Sequence, residues 1–65
     1  MTKDEAIRQF KRIYPESFIR VLNADKVKDK YIISAYFPDG IFYFVVSENS
    51  VSSSYDTESD AKRRI

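Results

Sequence analysis

Sixty-five residues are enough for one domain and no more. The chain has neither cysteine nor histidine, so disulfides, thiol or imidazole catalysis and ordinary zinc sites have no side chains to build them. Its net charge of +1 lacks the strong basic excess of a dedicated nucleic-acid binder.

A domain of this size buries only about 60% of the surface its unfolded chain exposes. Without covalent staples it must rely on a dense apolar core or on a partner. The material is present: five tyrosines and five phenylalanines, most of them between Tyr31 and Tyr55. Charge is uneven, with lysines and arginines at the two ends and none from 31 to 61, where Asp39, Glu48, Asp56, Glu58 and Asp60 lie. No apolar segment follows Met1, and the longest apolar run, Ile41 to Val46, is far too short for a bilayer. The expected setting is cytoplasmic, without membrane contact.

Thr2 with Glu5 three residues on forms a capping box, and Asp4 adds negative charge to the first turn. Ala6, Ile7, Phe10, Ile13 and Tyr14 then recur at helical spacing until Pro15, predicting a helix over 3–14 with Ile7, Phe10 and Ile13 against the core. Phe18 to Leu22 reads as a first strand, Asn23 to Lys30 as a charged connection, and Tyr31 to Phe37 as a second strand. Pro38-Asp39-Gly40 predicts a three-residue hairpin loop with glycine in the left-handed position, leading into a third strand from Ile41 to Val46. Ser47 to Ser50 makes a turn, Val51 to Tyr55 a weak fourth strand, and Thr57 or Ser59 can cap a short last helix. The expected fold is a single α+β domain over 1–65. One N-terminal helix packs on a three- to four-stranded antiparallel meander, and a short C-terminal helix follows.

The three-residue loop sets Tyr36 against Phe42, Ala35 against Tyr43 and Ile33 against Val45. One face then carries Ile33, Ala35, Phe37, Ile41, Tyr43 and Val45, the other Ile32, Tyr36, Phe42, Phe44 and Val46; a one-residue slip exchanges the sets. Either way one helix covers one face. The second is covered by the last segment or the 23–30 loop, or it meets another chain. The residues expected to bind that partner are Tyr36, Phe42, Tyr43 and Phe44.

Chemistry is sparse. The single glycine sits in a hairpin, so no phosphate-cradling loop is available. The carboxylates Asp25 with Asp29, and Asp56 with Glu58 and Asp60, lie in loop-like segments with lysine or arginine nearby and read as solvated surface. No catalysis, cofactor, metal or small-molecule substrate is expected. The serine-rich stretch Ser47 to Ser54 reads as a polar sheet edge. The expected function is a protein-interaction module, an inhibitor or regulator of a larger protein, with a homodimer as the other protein partner. The alternative is a small nucleic-acid-binding domain using Arg8, Lys11 and Arg12 on the helix and Lys62, Arg63 and Arg64 at the basic end as phosphate contacts.

The opening Thr2-Lys3-Asp4-Glu5-Ala6-Ile7, the Tyr14-Pro15 that ends the helix, and the strand and hairpin around Asp39-Gly40 resemble the PepSY family. The likeness runs over 2–55 in order of elements. It implies a cystatin-like helix on an antiparallel sheet and a binding or peptidase-inhibiting role. Ser47 to Ser50 stands where that family has a glycine before the last strand, and family members are commonly exported. In order of elements alone, helix, three strands and the basic Ala61-Lys62-Arg63-Arg64 also look like a double-stranded-RNA-binding domain without its long final helix.

Overall fold

The structure, a computed structural model, describes residues 1–15 and 20–65. Helix α1 (Lys3–Ile13) starts where its capping box directs. The Thr2 N–H donates to Glu5 Oε1 at 2.7 Å and the Glu5 N–H donates back to Thr2 Oγ1 at 3.2 Å. Tyr14 caps the other end through its N–H to the Phe10 carbonyl, just before Pro15.

Three antiparallel strands follow, β1 (Arg20–Val27), β2 (Lys30–Phe37) and β3 (Gly40–Val46), in the order β1-β2-β3. The expected first strand is only partly testable, because Phe18 and Ile19 lie outside the described residues. The expected connection over 23–30 is corrected: Asn23 to Val27 continue β1, and the turn is Lys28-Asp29 alone. Charge concealed this strand. β1 lies at the sheet's edge, where charged side chains are tolerated and discourage pairing with other chains. Its turn also lacks the usual glycine or asparagine, and Lys28 itself takes the left-handed conformation at φ 57°.

The second hairpin corrects the register. Phe37 pairs with Gly40, so the loop is the two residues Pro38-Asp39, and Gly40 (φ 133°) is the first residue of β3. A Cβ on Gly40 would meet nothing within 4 Å, so backbone conformation rather than space calls for glycine there. The shorter loop moves every β3 side chain to the other face. Tyr36 opposes Ile41 and Ala35 opposes Phe42. Phe42, Phe44 and Val46 therefore share a face with Tyr31, Ile33, Ala35 and Phe37, while Ile41, Tyr43 and Val45 join Ile32 and Tyr36.

Val51 to Tyr55 does not form a regular fourth strand. It touches β3 at two isolated bridges, Val46 to Val51 and Tyr43 to Tyr55. Between them the Ser52 N–H donates to the Val45 carbonyl at 2.9 Å, and Ser52 Oγ accepts from the Val45 N–H at 2.8 Å. A serine hydroxyl thus replaces a main-chain carbonyl, and the edge of β3 is covered without a strand. Helix α2 (Glu58–Lys62) closes the chain, capped by Thr57, whose side chain accepts from the Asp60 N–H.

The two helices pack on opposite faces of the sheet. Under α1, Ala6 and Phe10 meet Ala24, Tyr31, Ile33, Ala35, Phe44 and Val46. Phe10, Tyr14 and Phe44 stack with centroids 4.8 to 5.3 Å apart, within the range of favourable ring pairs. Gln9 Nε2 donates to the Ser47 carbonyl, and Tyr14 OH donates to the Ser52 carbonyl at 3.3 Å, tying α1 to the segment after β3. Phe10 is fully buried and Ile7 packs at the margin, but Ile13 is 54% exposed, against expectation. The buried stripe runs Ala6-Phe10-Tyr14 and leans toward Ile7; Ile13 sits about 60° around the helix on the other side of Phe10. Under α2, Ala61 meets Ile32 and Val45, with Val27, Tyr43, Tyr55 and Ile65 at the margin.

Candidate interaction surface

The α2 face is only half covered. A helix of five residues and the adjoining Tyr55 and Ile65 reach Val27, Ile32 and Val45. Toward the tip of the β2–β3 hairpin the same face carries Tyr36 and Ile41, directly opposed across the strands and 43% and 46% exposed. Arg20 stands opposite Tyr36 on β1.

A bulge in β1 exposes a third large apolar residue. The register shifts between Val21 and Asn23, so Leu22 is the extra residue. Val21 and Ala24 both pack in the α1 core although three positions separate them, which strict alternation forbids. The bulge restores their parity, and its extra residue, Leu22, is 40% exposed. Tyr36 and Ile41 thus share one open half-face, with Arg20 and Asn23 exposed on the neighbouring β1 and exposed Leu22 at its bulge.

Part of each sheet edge is already occupied. On β1, Asn23 Oδ1 accepts from the Ala24 N–H at 2.9 Å and Asn23 Nδ2 donates to Asp25 Oδ2 at 3.0 Å, so a side chain occupies a main-chain donor. Ser52 and Tyr55 occupy the edge of β3.

The four partner-binding residues named from sequence divide between the faces. Tyr36 and Tyr43 lie on the α2 face, Tyr36 open and Tyr43 half-buried beside the α2 core. Phe42 and Phe44 lie on the α1 face, where Phe44 is core and Phe42 is half-buried. Leu22 and Ile41 were not singled out. The apolar pair Val21 and Ala24, out of phase for a plain strand, is the sequence signal that could have exposed the bulge.

The basic residues also divide. Arg8, Lys11 and Arg12 are exposed on α1. Lys62 and Arg63 belong to the opposite face and pair with their own helix, Lys62 Nζ to Glu58 Oε1 at 3.8 Å and Arg63 Nη2 to Asp60 Oδ1 at 3.3 Å. The sheet lies between the two groups, so together with exposed Arg64 they do not make one continuous track.

Among the described residues no polar or charged side chain is buried and no group of three or more acidic residues gathers as for a metal ion. The carboxyl of exposed Glu5 is held below the ordinary glutamate range by the Thr2 backbone N–H and then by the Thr2 side chain. It belongs to the helix cap. No helix among the described residues is long and apolar enough to cross a membrane. Comparison with known protein families, curated proteins and solved structures finds no match.

Proposed function

We propose that this domain is a non-catalytic protein-interaction module, an inhibitor or regulator of a larger protein, that presents Leu22, Tyr36 and Ile41 to its partner. One observation carries the reading: Tyr36 and Ile41 stand exposed and directly opposed on one half-face of the sheet, with exposed Leu22 at the bulge of the neighbouring strand. Contiguous exposed apolar surface marks interaction sites, and aromatic cores with polar rims are the usual anatomy of an interface. Arg20 and Asn23 on β1 supply such a rim. A stable interface takes about 800 Å² from each partner. Three part-exposed side chains fall well short of that, which favours a larger partner contributing further contacts over a second copy of this chain.

The test is affinity capture from the native host with four forms of the full chain: unchanged, Leu22→Glu, Tyr36→Glu, and Arg8→Gln with Arg12→Gln. A purified partner that binds the unchanged and double-arginine forms and loses at least tenfold in affinity with both patch variants supports the reading. A partner insensitive to both patch variants overturns it. Binding to duplex or single-stranded nucleic acid, lost in the double-arginine form and falling with salt at a log–log slope of roughly −0.9 per phosphate, would establish the alternative.

A further inference from the structure

Helix α2 covers part of the sheet without being fastened to it. From Thr57 to Ile65 every hydrogen bond and ion pair among the described residues stays inside the segment: the Thr57 cap, the main-chain bonds of the helix, Lys62 with Glu58 and Arg63 with Asp60. Its hold on the strands is apolar, through fully buried Ala61 with Ile65 at the margin. The last main-chain tie before it is the bridge from Tyr43 to Tyr55. Helix α1, by contrast, is bonded to the segment after β3 through Gln9 and Tyr14. A short helix held mainly by one alanine opens locally at low cost, and opening uncovers Ile32 and Val45.

Those two residues continue the open half-face. Ile32 opposes Val45, and four positions along β2 Tyr36 opposes Ile41 on the same side of the sheet. Four residues of strand span about 13 Å. The five residues of α2 span about 7.5 Å, too little for both rows, whereas the eleven of α1 span about 16 Å.

We propose that α2 is a displaceable cover and that the partner docks an amphipathic helix of about three turns in its place. The sheet already seats a helix on each face, and α1 sets the length that fills one. A helix of that length joins Ile32 and Val45 to Tyr36 and Ile41, and so enlarges an area that by itself falls short of a stable interface. The inference rests on the interaction reading above. It adds that the free chain masks half of its own docking surface, which lowers the apparent affinity by the fraction of chains in which α2 is open.

The cover is tested on the full chain without a partner. The sequence has no cysteine, so Ile32→Cys and Ile33→Cys each carry a single thiol, one under α2 and one under α1. With dithionitrobenzoate, Ile32→Cys is expected to react roughly tenfold faster or more, at a rate flat in low urea as local opening requires. Val45→Cys repeats the measurement where Ile32→Cys fails to fold. Equal rates with the same urea dependence would mean that α2 leaves only when the domain unfolds, which overturns the proposal. The docking is tested with the partner purified by the capture above. Thr57→Ala, which opens α2 by removing its cap, should raise the affinity by about threefold or more. In the complex the amides of Ala61 and Arg63 should lose exchange protection, and the bound segment of the partner should give helical backbone shifts. A partner weakened by Tyr36→Glu that leaves α2 protected, binds Thr57→Ala no tighter or docks a non-helical segment keeps the interaction surface and overturns the displacement. A partner insensitive to Tyr36→Glu overturns both.

Discussion

The two faces of this sheet receive the same kind of side chain and end in different states. Under α1 an eleven-residue helix lays Ala6, Phe10 and Tyr14 along the strands, and side chains from α1 reach the segment after β3. Under α2 a five-residue helix contributes one fully buried residue, Ala61. At about 1.5 Å per residue, α2 is less than half as long as α1. Apolar patterning fills both faces; helix length decides how much of each stays dry. The remainder on the α2 side is the half-face of Tyr36 and Ile41.

The largest effect expected from breaking this asymmetry is at its centre. Phe10 is fully buried and packs its ring 4.8 Å from Phe44. Phe10→Ala should cost about 3–5 kcal/mol, as emptying a core aromatic site does. Small domains sit toward the low end of roughly 5–15 kcal/mol of total stability, so the variant should be largely unfolded. Urea denaturation followed by far-ultraviolet circular dichroism reads this directly; an unchanged midpoint would mean that α1 does not hold the sheet.

Ile32 and Ile33 sharpen the comparison, since they are neighbours on β2 that enter opposite cores. Truncating either to alanine should cost about 2–5 kcal/mol, with Ile33→Ala the more damaging. The cavity under α1 is roofed by a long helix tied at several points, whereas α2 can settle into the space left by Ile32. Equal losses in denaturant titrations would show that α2 is as rigidly seated as α1.

The helix caps probe the same contrast with smaller losses. Thr2→Ala removes one arm of a capping box and should cost about 1 kcal/mol of global stability. Thr57→Ala removes the cap of α2, and because a short terminal helix can open locally, its loss should appear mainly as faster amide exchange near Ala61. The Glu5 carboxyl adds a pH signature. Its folded value is depressed by the Thr2 hydrogen bonds, so its contribution is present above the ordinary glutamate value and is lost as pH falls through the depressed one. Glu5→Gln should flatten stability against pH in that acid range; an unchanged acid limb would mean the box is not formed in solution.

These elements were unequally legible in the sequence. The capping box, the proline stop and Thr57 are local devices, written in adjacent residues and settled by backbone hydrogen bonding. The strands β2 and β3 followed from dense apolar and β-branched runs. The register between them did not, because Pro38-Asp39-Gly40 suits a three-residue loop with left-handed glycine and also the observed two-residue loop, and the difference of one residue exchanges the faces of β3. Most of β1 was hidden by its edge position, by Lys28 in place of a turn glycine, and by a bulge that breaks alternation. The candidate surface of Tyr36 and Ile41 depends on the register, so only Tyr36, which keeps its face under either loop, was legible as part of it.

The smallest effect on stability, and the one on which the proposed function turns, is expected at Tyr36. It lies 43% exposed on the α2 face and belongs to neither buried cluster, so replacing it opens no core cavity. Its cross-strand neighbours are Arg20 and Ile41. A glutamate there faces the Arg20 guanidinium, and an exposed cross-strand pair of opposite charges contributes about 0.2–1 kcal/mol, offsetting the weaker strand preference of glutamate. Tyr36→Glu should therefore melt within about 0.5 kcal/mol of the unchanged domain, as surface substitutions generally do. In a complex the same glutamate would be desolvated against an apolar partner surface, where an uncompensated charge is strongly unfavourable. The expected outcome is an intact fold with partner affinity lost. If Tyr36→Glu unfolds the domain, the ring belongs to a core that extends across the whole α2 face, the two faces are alike, and the partner must bind elsewhere.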